Sequence, residues 1–82
     1  MTTENIRDIL SRRPFEPVRV VMSSGESYEV RHPDNAMLVR GALVVGYPSN
    51  GHDLPPHFAV CSLLHIAHIE PVRSARAGRR RQ

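Results

Sequence analysis

The chain of 82 residues reads as a mainly β domain led by one amphipathic helix, with an arginine-rich tail outside the fold. Three observations predict this. Apolar residues recur at helical spacing only near the start, through Ile6, Ile9 and Leu10; from Val18 the period falls to two; and beyond Val72 no apolar period remains. A chain this short makes one domain with a thin core. That domain is assigned to residues 1–72, and residues 73–82, rich in Arg, Ala, Gly and Ser, to a disordered tail.

The helix is expected over about residues 3–13. Thr2 or Thr3 caps it, Glu4 stands at its positive end and Arg12 and Arg13 at its negative end, and Pro14 stops it. About three turns are marginal in isolation, so the stripe of Ile6, Ile9 and Leu10 must lie on something. Strands follow at about 18–22 and 27–31. Ser23, Ser24, Gly25 and Glu26 turn the chain between them into a hairpin. His32, Pro33, Asp34 and Asn35 break the pattern. Strands at about 36–39 and 42–46 then flank an Arg40–Gly41 turn, and Tyr47 to Pro56 forms an exposed loop. Residues 57–70 admit two readings. One is a pair of strands, about 58–61 and 65–70, joined at Ser62, Leu63 and Leu64; the other is a single helix from His57 to Glu70. The β-favouring types Phe58, Val60, Ile66 and Ile69 support the strands.

Charge is more informative once it is located. All eleven basic residues are arginine. Residues 1–70 hold six of them against eight acids, a net of −2, while residues 71–82 hold five and no acid, a net of +5. The body is mildly acidic, so no basic face is built into the fold. Broken by prolines and glycines, the longest uncharged runs fall well short of the roughly 20 apolar residues of a membrane span. The acidic opening MTTENIRD lacks the apolar core of a secretory signal, and one cysteine makes no internal disulfide. Together these point to the cytoplasm.

Particular segments resemble the Sm-like fold, a small, strongly bent, five-stranded, partly open barrel that usually assembles into rings. Val18 to Val30, turning at Ser24–Gly25, resembles its first two strands. The stretch Asp34, Asn35, Ala36, Met37, Leu38, Val39 resembles the part of the first Sm motif in which an Asp precedes a Met by three positions. Cys61 to Glu70 resembles the closing motif, with Ile66, Ala67, His68, Ile69 and Glu70 as its Ile-x-x-Ile-Glu strand. Over residues 1–72 the chain also looks like a family of short uncharacterised bacterial proteins that share MTTENIRDIL-, RPFEPVRV-, SYEVRHP- and SLLHIAHIE-type segments. The Sm resemblance implies a homo-oligomer. It does not carry over an RNA site: where RNA-binding Sm proteins place a base-reading Asn and an Arg-Gly pair, this chain has Leu38 and Cys61–Ser62.

Four groups of residues are candidates for chemistry. His57, Cys61, His65 and His68, spaced 4, 4 and 3, would line one helix face as zinc ligands. On strands His57 and Cys61 would stand about 13 Å apart, so no metal is expected. Cys61 with a nearby histidine is the nucleophile reading, for which the sequence offers no oxyanion loop. His32, Asp34 and Asn35 form the most polar cluster within the fold, suited to an Asx turn and otherwise to a ligand. Arg73, Arg76, Arg79, Arg80 and Arg81 would screen phosphates without reading sequence. The expected function is a non-enzymatic, homo-oligomeric scaffold or protein-interaction module without a cofactor. Its alternative is weak RNA or DNA binding assisted by the tail.

Overall fold

A computed structural model of the chain describes residues 1–48 and 54–72. Its order is α1 (Thr3–Ser11), β1 (Val18–Met22), β2 (Ser27–Val30), β3 (Ala36–Val39), β4 (Ala42–Tyr47), β5 (His57–Ser62) and β6 (Ile66–Pro71). Thr2 caps α1, its hydroxyl accepting from the Asn5 amide at 3.2 Å. The helix ends two residues earlier than the sequence suggested, because Pro14 excludes the residue before it from helical backbone and Arg12 already turns extended. Arg13 nevertheless serves the helix end. Its guanidinium donates to the Leu10 carbonyl at 3.1 Å.

The strands form two antiparallel three-stranded sheets, ordered β2-β1-β6 and β3-β4-β5. The six strands among the described residues fall on the six segments read from the sequence, but the five-stranded barrel implied by the Sm resemblance is corrected, since these two sheets do not close into one ladder. Pro33 opens a 3-10 turn, Pro33–Asn35, that interrupts the extended backbone, and β2 and β3 on its two sides pair in different sheets. A second 3-10 turn, Leu63–His65, returns the chain from β5 to β6. Ser62 caps that turn by accepting from the Leu64 amide at 3.3 Å. Residues 57–70 are therefore two strands and not a helix.

Two tight turns rest on glycine. Gly25 and Gly41 have φ of 98° and 78°, the left-handed region that other residues enter at a cost. Gly41 closes the two-residue connection in which Val39 pairs with Ala42, and its carbonyl accepts from the Leu63 amide at 3.0 Å. β1 and β6 slip register between Val21, opposite His68, and Met22, opposite Ile66, which leaves Ala67 unopposed as a bulge.

The core lies between the sheets. Val18, Val20, Val30, Leu43, Val45, Cys61 and Ile66 point into it from alternate strand positions, with Leu63 from the second 3-10 turn and Ile6 from the helix. Ile9 and Leu10 pack beside Ile6, so the helical stripe seals this layer. Among the described residues no polar or charged side chain is buried. None of their helices is long and apolar enough to cross a membrane.

Candidate interaction surface

The outward positions of the two sheets differ in chemistry. In the first sheet Arg19, on the central strand β1, stands opposite Glu29 on one side and Glu70 on the other. Its guanidinium reaches Glu29 at 3.1 Å and Glu70 at 2.9 Å. Arg31 adds a 2.9 Å contact to Glu29, and His68 approaches Glu70 at 3.1 Å. Arg19 holds both carboxyls below the usual range through these hydrogen bonds, and it is itself raised by them. The face is therefore a half-exposed ionic ladder.

In the second sheet the outward positions are Met37 and Val39 of β3, Ala42, Val44 and Gly46 of β4, and Phe58, Val60 and Ser62 of β5. Register sets Met37, Val44 and Val60 in one row and Gly46 beside Phe58 in the next. None of these side chains is charged. Phe58 is 70% exposed, Val60 63% and Met37 59%. Isolated exposed apolar residues are ordinary, whereas a contiguous strip across three strands makes this face the candidate interaction surface.

A groove of about 260 Å³ opens at one end of this strip. Its walls are Asp34 to Met37 and Pro55 to Phe58, over Val44 and Gly46. Gly46 is required there, since a Cβ would lie 2.5 Å from Cγ of Pro55. Of the polar cluster anticipated from sequence, Asp34 and Asn35 line the groove, while His32 stays outside it and accepts from the Asn35 amide through its carbonyl at 3.0 Å. Beyond the groove an aromatic run continues from His57 to Tyr47, ring centroids 5.5 Å apart, and on to Tyr28 at 5.2 Å. The Tyr28 hydroxyl donates to Glu26 at 3.2 Å, and burial together with that acid raises it.

The remaining candidates disperse. His57 is exposed at the start of β5, Cys61 is 1% exposed in the core, His65 lies in the second 3-10 turn and His68 is engaged with Glu70. The helical zinc face does not form, and no three His, Cys, Asp or Glu among the described residues are placed to hold a metal ion. Burial, with Glu26 nearby, pushes the Cys61 thiol up, the reverse of what an activated nucleophile needs. Leu38 packs against the core, so it offers no edge for a base. Arg73, Arg76, Arg79, Arg80 and Arg81 lie outside the described residues.

Met37, Val44, Phe58 and Val60 were missed as surface residues, although a signal existed. A half-exposed strand alternates apolar with polar, whereas AMLV and FAV are apolar at consecutive positions. Both faces of such strands are apolar, and only one can face this small core. Comparison of the chain with protein-family models, curated proteins and solved structures finds no match.

Proposed function

We propose that this chain is a small Sm-like β module whose work is association, as a homo-oligomeric scaffold or protein-interaction unit without catalysis. The observation that carries this is the uncharged apolar strip on β3-β4-β5, set against a face on β2-β1-β6 that carries the Arg19–Glu29–Glu70 ion pairs. A chain with only a small core keeps no such strip in water without a use for it. Support for the Sm-like part comes from the leading helix, the 3-10 turn before the last strand and the return of β6 to pair with β1. Light scattering over a range of concentrations tests the association. A mass above that of one chain is expected, and a monomer at millimolar concentration would refute self-assembly.

A second reading rests on charge segregation. The net of +5 over residues 71–82 suits salt-dependent, sequence-blind contact with RNA or DNA. Deleting residues 73–82 should then abolish filter retention of both at low salt. Unchanged retention would remove this reading.

A further inference from the structure

Resting on the association reading, we infer that β5 pairs antiparallel with β5 of a second copy about a dyad through Ala59, joining the two β3-β4-β5 sheets into one of six strands. The selection begins with the edges. Each sheet leaves two, and proteins protect such edges with charge, proline, brevity or a covering element. β6 carries His68, Glu70 and the terminal Pro71. β2 is four residues long and bears Glu29. β3 is also four residues, and α1 lies against it. β5 is six residues, HFAVCS, with no acid, no arginine and no proline; its titratable groups are His57 at the first position and the buried Cys61. It is the long, apolar, undefended edge among the described residues.

The partner follows from the same chemistry. Pairing β5 with β6 of a neighbour would set Phe58 and Val60 across from the outward His68 and Glu70, which is a poorer cross-strand match than apolar with apolar. Pairing β5 with itself brings like to like without charge conflict, as a two-fold interface requires. Edge pairing extends the sheet in its own plane, so it gives the exposed Phe58 and Val60 cross-strand neighbours from the second copy, and the edge main chain adds hydrogen bonds. Register is fixed by alternation. Two copies keep their apolar faces together only if the dyad passes through a residue rather than between two. A dyad at Ala59 sets Phe58 opposite Val60 of the second copy, an aromatic–β-branched pair, twice over.

Complementary charges at these two positions test both the edge and the register. Val60→Lys and Phe58→Glu each alter a side chain that is exposed in the single chain, so far-UV circular dichroism should stay unchanged. The wild type should scatter as a dimer. Either variant alone should weaken the dimer, with the dissociation constant raised roughly tenfold or more, because the introduced charge stands directly opposite an apolar side chain of the second copy at two places. Mixing the two variants in equal amounts should restore a dimer, because the introduced ammonium of one copy then meets the introduced carboxylate of the other. A wild-type monomer would overturn both this pairing and the association reading. A wild-type assembly larger than a dimer would overturn the two-fold pairing and leave association standing. Dimers that survive both substitutions would exclude the β5 edge, and failure to recover on mixing would exclude the dyad at Ala59.

Discussion

Replacing Gly46 by Ala sets two opposed effects against each other, and the structure decides which prevails. Gly46 does not adopt the positive φ of Gly25 and Gly41, so its backbone accepts alanine. By restricting the unfolded chain, the substitution alone would stabilise by about 0.4–1 kcal/mol. The new Cβ, however, would stand 2.5 Å from Cγ and 3.0 Å from Cβ of Pro55. Carbon atoms in good contact sit about 3.5–4.0 Å apart, so the ring must retreat by roughly 1 Å. A proline ring cannot rotate aside, and Pro55 is tethered two residues before His57, which pairs with Tyr47. Overpacking of this kind costs about 1–3 kcal/mol. The net expectation is a loss of about 1–2 kcal/mol, a fall in melting temperature of about 4–16 °C for a domain of this size. Thermal melts followed by circular dichroism measure it. Adding Pro55→Ala to Gly46→Ala removes the closest atom and should return about 1 kcal/mol in a double-mutant cycle. An unchanged or higher melting temperature for Gly46→Ala alone would show that Pro55 does not pack on Gly46.

Three further outcomes are expected. Arg19 lowers the carboxyls of Glu29 and Glu70, so its contribution is present above the unfolded carboxylate range and is lost as pH falls through their folded values. Arg19→Met should therefore lose stability at neutral pH and show a flatter fall between about pH 5 and pH 3, read from urea midpoints; parallel curves for the two proteins would refute it. Leu43→Ala should cost about 2–5 kcal/mol in urea unfolding, because Leu43 is buried at 2% exposure between Leu38 and Cys61 of the neighbouring strands. Iodoacetamide should leave Cys61 unmodified in the folded protein over a time that suffices for full reaction in urea, since its thiol is buried and raised. Comparable rates in both states would contradict that placement.

Local signals in the sequence carried most of the fold. Thr2 and Pro14 bounded the helix, Gly25 and Gly41 fell at the turns of the two hairpins, and Val18, Val20 and Val30 alternated inward. What was not legible depends on contacts distant in sequence. Nothing local to Ser27–Val30 and Ala36–Val39 states that they belong to different sheets. Pro33 interrupts the chain between them, and their pairing with β1 and with β4 sets them apart. The candidate interaction surface was hidden for a related reason. Periodicity assigns an apolar residue to a face without saying which face the core occupies, so the sequence leaves the side of Met37, Phe58 and Val60 open, and the fold decides it by setting Leu43 and Val45 inward. The spacing of His57, Cys61, His65 and His68 suggested a metal site only in a helix, and the Ser62-capped turn at Leu63–His65 removes that geometry.

Under the proposed pairing, the two outer faces would divide folding from association in so small a chain. Exposed ion pairs contribute little to stability, so the Arg19–Glu29–Glu70 ladder does not hold the domain together; Ile6, Val20, Val30, Leu43 and Val45 do, each at most 2% exposed. What the ladder does is keep β2-β1-β6 solvated and its edges unattractive to another strand. That leaves β3-β4-β5 as the face where apolar contact with a partner is gained at no electrostatic cost. Phe58 and Val60 are largely exposed in the single chain, so under the proposed pairing they would contribute to an interface while adding little to the core. Substitutions there should shift the mass of the assembly without moving the unfolding midpoint of the monomer. Substitutions at Val20 or Leu43 should do the reverse.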